Sequence, residues 1–153
     1  MYNTRDIDGL AAALIDLMGF LNSPQRDDVL LREAGVDLDR ALFPLLVRLG
    51  RHGPLSVAGL AEQAGRDHTT ISRQLAKLES LGLISRLGDG GDRRVRTASL
   101  TAGGEKIVQA ITMARRRLLS GALADWSEAD LANLADLNRR FVDALAGAAP
   151  DRK

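Results

Sequence analysis

The chain has 153 residues, of which 45% are hydrophobic and 27% charged, and its formal net charge is +1. This length predicts a single domain with a substantial hydrophobic core, and it is short for an enzyme with separate substrate and cofactor lobes. Aromatic residues are only 3% and cysteine is absent, which argues against a single-strand nucleic-acid module and excludes disulfides, thiol switches and cysteine-ligated metals.

The charges are unevenly distributed along the chain. Residues 1–40 carry 4 basic and 8 acidic side chains, residues 41–117 carry 13 and 6, and residues 118–153 carry 4 and 6. The basic excess therefore lies in the central segment, where it could neutralise the phosphates of an anionic partner. The N-terminus does not resemble a signal peptide, and no run is apolar enough to span a bilayer, so we expect a cytoplasmic protein without membrane contact.

The first predicted element is an amphipathic helix near the N-terminus. The Asn22-Ser23-Pro24 segment predicts its end. Its apolar residues recur at three- and four-residue steps: Ile7, Leu10, Ala11, Leu14, Leu17, Met18 and Leu21.

Residues 60–75 predict a helix-turn-helix. Small Ala61 lets two helices cross closely, Gly65 permits the tight turn, and Ile71 fills the gap between the helices. Leu75 and Leu78 continue the apolar face of the second helix. Its polar and basic face suits a DNA major groove, although an ordinary helical hairpin would also carry a polar outer face. The predicted DNA contacts on this helix are His68, Thr69, Thr70, Ser72, Arg73 and Lys77.

A β-hairpin is predicted directly after the second helix. Gly82 ends the helix, and two short apolar runs, Leu83–Leu87 and Val95–Leu100, flank a turn rich in Gly and Asp. An arginine-rich hairpin can be a solvated edge strand protected by charge. Because this hairpin directly follows a helix-turn-helix in the sequence, a wing that contacts the minor groove or phosphates is the better interpretation. The predicted wing contacts are Arg93 and Arg94 at the tip and Arg86 and Arg96 on the arms, with Asp92 as a brace for a neighbouring arginine.

These segments resemble the multiple-antibiotic-resistance-regulator (MarR) family of winged-helix transcription regulators. The family's wing pattern, Asp-x-Arg followed by a strand ending Leu-Thr-x-x-Gly, is matched from Asp92 to Gly104, and its helix pattern is matched from Thr70 to Arg86. Arg94 occupies the arginine position of the wing motif, which favours it over Arg93 for the minor groove without deciding between them. The resemblance implies interlocked terminal helices in a dimer, and small anionic aromatic ligands bound between these helices and the DNA-binding lobe.

Two further helices follow the wing. The first covers Glu105 to Ala124, and the second begins at a capping box formed by Ser127 and Asp130. The terminal helices either wrap the same monomer or pair with a second chain. We expect a dimer, because two copies of one recognition helix require a two-fold axis to read successive major grooves. Its predicted interface contains Leu10, Leu14, Leu134 and Phe141.

The sequence thus predicts a mainly α fold with a small β-hairpin wing (α+β), a winged helix-turn-helix with N- and C-terminal dimerisation helices. We expect one MarR-like domain over residues 1–153, with a DNA-binding lobe at 38–100 and dimerisation helices at 5–22 and 105–147. The predicted function is a homodimeric, sequence-specific regulator that binds double-stranded DNA at a near-palindromic operator. The resemblance favours a ligand-responsive repressor, and the residues do not distinguish repressor from activator.

A winged-helix module for protein contact is the alternative, since the fold does not determine the function. DNA binding should weaken steeply with salt, whereas an apolar protein contact should not. An enzyme is not expected, because the sequence offers no nucleophile–base pair. The histidines, His52 and His68, have no carboxylate at metal-ligand spacing near both. We therefore expect no catalytic residue, no metal and no cofactor.

Overall fold

The computed structural model describes residues 1–89 and 92–148, with the backbone alone described for residues 87–89 and 92–96. The chain forms two compact units, Met1–Arg115 and Arg116–Lys153. The helices are α1 (Thr4–Leu21), α2 (Pro24–Ala34), α3 (Phe43–His52), α4 (Val57–Ala64), α5 (His68–Ser80), α6 (Ala102–Ala122) and α7 (Glu128–Ala148). The strands are β1 (Leu55–Ser56), β2 (Ile84–Asp89) and β3 (Asp92–Leu100). The predicted fold class, mainly α with a small β wing, is confirmed.

Local sequence signals explain where the first helices begin and end. The Asn3 side chain caps α1 by accepting a hydrogen bond from the Arg5 N–H at 3.1 Å. The helix ends at Asn22, as predicted, and Pro24 then occupies the first turn of α2. Proline fits there because its missing N–H would have no partner inside the helix.

The sheet has three antiparallel strands in the order β1-β3-β2. The predicted hairpin of β2 and β3 is confirmed, and β1 is an additional strand. Ala98 lies between Leu55 of β1 and Arg86 of β2 in the register, and it is buried. The base of the wing is thereby joined to the helical core.

An aliphatic core holds the helix-turn-helix against α3 and the sheet. Within the described part of the chain no polar or charged side chain is buried, so the core depends on apolar packing. Its fully buried side chains are Leu45, Leu46, Leu60, Ile71, Leu75 and Leu78. Ile111 of α6 is buried in a second cluster, with Leu31 of α2 and Phe43 of α3.

The helices at the two ends of the chain expose their apolar residues. Neither α1 nor α7, both described in full, has a buried residue. The first half of α6 is different, because Gly104, Ile111 and Ala114 are buried. Trp126, the single tryptophan, lies between α6 and α7 and is 47% exposed. None of the described helices is long and apolar enough to cross a membrane.

Candidate nucleic-acid interface

The helix-turn-helix has the geometry that its sequence predicted. Gly65 ends α4 with φ at 63°, a left-handed conformation that glycine adopts without strain. The Gly65 N–H donates to the Glu62 carbonyl at 3.3 Å, and the Arg66 N–H donates to the Ala61 carbonyl at 3.1 Å. These two bonds close the last turn of α4, and α5 begins three residues after Gly65.

Burial of one face determines which side chains α5 presents to solvent. Ile71, Leu75 and Leu78 are each 0% exposed and form a row at three- and four-residue spacing. Thr69, Arg73 and Lys77 lie on the opposite face, which is the centre of the candidate DNA-contacting surface, and the other predicted contacts flank it. Across this surface His68, Thr69, Arg73 and Lys77 are exposed, while Thr70 and Ser72 are half-buried.

Asp67 fixes the beginning of the recognition helix. Its carboxylate accepts hydrogen bonds from the Thr70 N–H at 2.7 Å and from the Thr70 hydroxyl at 2.8 Å. These bonds, with a smaller contribution from the charge of Arg73, hold the pKa of the Asp67 carboxyl below its usual value of 3.8. Thr70 remains a predicted DNA contact, but its hydroxyl proton is already used inside the protein. Asp67 was not among the predicted site residues, although an Asp before a helix is a known capping signal.

A second positioning contact comes from Arg66 in the turn. Its Nη1 donates to Gln74 Oε1 at 3.1 Å and to the Ala41 carbonyl at 3.4 Å. A groove of about 350 Å³ lies beside this contact. Two of the predicted DNA contacts, Arg73 and Lys77, line this groove. The other lining residues are Asp39, Ala41, Leu42, Thr70 and Gln74. Neither Arg66 nor Gln74 could be predicted, because the contact joins them to Ala41, which lies 25 residues before Arg66 in the sequence.

The wing is partly described. Arg86 lies two residues after buried Ile84, on the same face of β2, and is itself half-buried. Its Nε is buried and has no hydrogen-bond partner within the described structure. The side chains of Asp92, Arg93, Arg94 and Arg96 lie outside the described residues, so their predicted roles stay predictions.

The four predicted interface residues are distributed over the two terminal helices. On α1, Leu10 is 44% exposed and Leu14 is half-buried. On α7, Leu134 is 37% exposed and Phe141 is half-buried. Ser127 Oγ accepts a hydrogen bond from the Asp130 N–H at 3.0 Å, which confirms Ser127 as the cap of α7.

The two histidines lie at helix ends. His52 is the last residue of α3, and His68 is the first residue of α5. In the described residues, no three or more histidine, aspartate or glutamate side chains group as a metal site would require.

Comparison with known proteins identifies the family. The MarR family model matches residues 38–95. The uncharacterized HTH-type transcriptional regulator YxaD of Bacillus subtilis is 33% identical over 111 residues, covering 70% of this chain and 78% of YxaD. The repressor MdtR of the same organism is 26% identical over 100 residues, covering 65% of this chain and 64% of MdtR.

A solved structure shows the same fold. A MarR family protein from Bacillus stearothermophilus superimposes with a TM-score of 0.79 at 22% identity, covering 95% of this chain and 99% of that one. Members of the family bind DNA as dimers and are not enzymes. The chain belongs to the MarR family of DNA-binding transcription regulators.

Proposed function

We propose that this regulator is a homodimer that binds a near-palindromic operator, with its two α5 helices in successive major grooves. The observation that carries the proposal is the orientation of α5. Its apolar row is locked into the core, so the face with Thr69, Arg73 and Lys77 points outward. A helix held in this way presents hydroxyl, guanidinium and ammonium groups, which can reach base edges and phosphates.

The apolar residues of α1 support a second copy of the chain as its partner. This helix of 18 residues is about 27 Å long. Ile7, Leu10, Leu17 and Met18 are each between 44% and 55% exposed, and half-buried Leu14 lies between Leu10 and Leu17 at helical spacing. A continuous apolar stripe of this length is typical of an interface. The α7 stripe offers the same kind of surface, and dimers of the family use their terminal helices in this way according to the resemblance.

The wing adds contacts beside the recognition helix in this proposal. Arg94, or alternatively Arg93, enters the minor groove, where an arginine responds to groove width more than to base identity. Arg86 and Arg96 contribute to phosphate binding from the arms of the hairpin, and Asp92 orients a neighbouring arginine. We also propose a cytoplasmic location for this DNA-binding regulator.

We further propose that the protein is a repressor whose DNA affinity falls when a small ligand binds. The repressor role is supported by the similarity to MdtR. A cavity of about 500 Å³ between α3, the end of β3 and the first half of α6 is a candidate ligand site. Leu49, Leu100 and Val108 supply apolar walls, and Gln109 and Thr112 supply hydrogen-bonding groups.

The charge of this cavity restricts how the expected anionic aromatic ligand binds. Glu105 also lines the cavity and would repel a carboxylate placed beside it. Thr112 lies seven residues further along α6, about 10 Å away. Its hydroxyl already donates to the Val108 carbonyl at 2.9 Å. The Gln109 amide is therefore the donor that α6 offers to the charge of an anionic ligand, with the ring of the ligand against Val108.

The experiment that tests the proposed function is selection of bound fragments from genomic DNA with the purified protein. We expect an enriched inverted repeat with half-sites about 10 bp apart. Affinity for it should fall steeply between about 50 and 200 mM salt, and sedimentation should show a dimer. If no sequence is enriched, or if binding is insensitive to salt, the proposal is wrong and the protein-contact alternative is favoured.

A further inference from the structure

Thr101 connects the beginning of α6 to the end of the recognition helix. Its hydroxyl accepts a hydrogen bond from the Gly104 N–H at 3.1 Å and so caps α6. The same hydroxyl donates to the Gly82 carbonyl at 2.6 Å, and the Thr101 N–H donates to the Leu83 carbonyl at 3.1 Å. One side chain therefore completes the cap of α6 and also bonds to the residues that follow α5.

Gly82 and Leu83 are themselves part of the end of α5. Gly82 has φ at 73°, and its N–H donates to the Glu79 carbonyl at 2.9 Å. The Leu83 N–H donates to the Leu78 carbonyl at 3.1 Å, and Leu78 is fully buried. Because these bonds close the last turn of α5, the three bonds of Thr101 form a continuous connection from the recognition helix to α6.

Two glycines bring α6 unusually close to the rest of the DNA-binding lobe. A Cβ at Gly104 would lie 2.1 Å from the Leu83 carbonyl oxygen, a distance that forces the backbone to move. One turn further along α6, a Cβ at Gly50 of α3 would lie 2.8 Å from Val108 Cγ1. Backbone and side chains thus fix α6 at two successive points, which leaves little freedom for α6 and α5 to move independently.

We propose that Thr101 and Gly104 are positioning residues that make the direction of α5 follow the direction of α6. In the dimer they would determine the distance and angle between the two recognition helices, although neither contacts DNA. This inference rests on the proposed dimeric function. Each added base pair moves one half-site by about 3.4 Å relative to the other. If the connection is lost, we expect the protein to tolerate operators whose half-site spacing differs from the best one.

The test compares variants that separate the two roles of the hydroxyl. Thr101→Ser keeps both hydrogen bonds. Thr101→Asp keeps the acceptor for the Gly104 N–H, and hence the cap, but cannot donate to the Gly82 carbonyl when ionised. Thr101→Val removes both. Ser127→Ala removes a cap of the same kind from α7 and is the matched control for simple loss of a helix cap.

Operators whose half-sites differ in spacing by one or two base pairs provide the readout, with folding and dimerisation checked by circular dichroism and sedimentation. For Thr101→Asp and Thr101→Val we expect affinity for the best operator to fall by roughly 3- to 10-fold. The difference in affinity between the best and the altered spacings should shrink as well. Thr101→Ser and Ser127→Ala should retain the wild-type spacing profile.

Two results would overturn the inference. One is a spacing profile in Thr101→Asp that is identical to wild type. The other is an equal loss of affinity at every spacing, which would indicate charge repulsion or partial unfolding. If Thr101→Val does not fold, Thr101→Asp carries the test, because its cap is intact. A wild-type protein that shows no dependence on spacing would instead overturn the proposed dimeric function, and the inference with it.

Discussion

Replacing Arg73 by alanine tests the recognition surface most directly. The side chain is exposed on the outward face of α5, so its removal leaves no cavity in the core. Loss of one arginine contact to a base or phosphate should weaken operator binding by about 1–3 kcal/mol, which is roughly 5- to 150-fold in Kd. The stability of an exposed position should change by no more than about 0.5 kcal/mol.

A second substitution at Arg73 distinguishes the two kinds of contact. Arg73→Lys keeps the charge but cannot form the bidentate pair that reads a guanine edge. If Arg73 contacts a guanine, lysine should restore little affinity at the cognate base pair. If it contacts a phosphate, lysine should restore most of the affinity, and alanine should lower the salt slope by about one.

Fluorescence anisotropy with the selected operator, measured across a salt series, gives both quantities. Arg26→Ala is the matched control, because it removes the same charge from α2, where Arg26 stacks on the Phe20 ring at 4.1 Å. This control should bind with wild-type affinity. A folded, dimeric Arg73→Ala protein with normal operator affinity would refute the assignment of α5 as the DNA-reading helix.

Three further predictions concern the wing, the dimer and the beginning of α5. Arg94→Ala should weaken binding to many DNA sequences at once and lower the slope of affinity against salt by about one, and Arg93→Ala should have a smaller effect on both. A changed preference at a single base pair, without a general loss of affinity, would contradict the wing assignment. Leu14→Asp combined with Leu134→Asp should give a monomer in sedimentation and reduce operator binding to the non-specific level, about 10³-fold weaker or more; a stable dimer would disprove the interface. The pKa of Asp67 is lowered in the folded state, so its stabilisation is present above the ordinary value of 3.8 and is lost as pH falls through the lower folded value. Asp67→Asn keeps the cap acceptor but not its charge. Denaturant unfolding should therefore show wild type and Asp67→Asn converging in stability at acidic pH, and a constant difference would contradict a stabilising role of the carboxylate charge.

The parts of the fold that could be predicted are those with a periodic apolar pattern. Ile71, Leu75 and Leu78 share one face of α5, so both the helix and its outward surface followed from their spacing. By contrast, α2 was outside the predicted elements, because its apolar residues lie together in its second half and only Leu31 of them is buried. The strand β1 has two residues and is too short to show alternation.

The predicted surface of α5 was easier to obtain than the contacts that hold it. Exposed positions follow from the buried ones on the same helix, whereas the Arg66 contact to the Ala41 carbonyl joins segments that only folding brings together. The Leu-Thr-x-x-Gly pattern was visible in the sequence as a family resemblance. The contacts that this pattern makes, from Thr101 to Gly82 and from Gly104 to Leu83, could be found only from distances in the folded chain.

The position of Trp126 determines what an optical unfolding experiment on this protein observes. Trp126 lies in the segment that joins α6 to α7 and does not belong to the aliphatic core that holds the helix-turn-helix. Fluorescence therefore reports on the C-terminal segment, while far-ultraviolet circular dichroism averages over all helices. Coincident melting curves would mean that the DNA-binding core and the C-terminal helices unfold as one cooperative system. Separate curves would mean that the chain contains two folding units, and that ligand or DNA can stabilise one without the other.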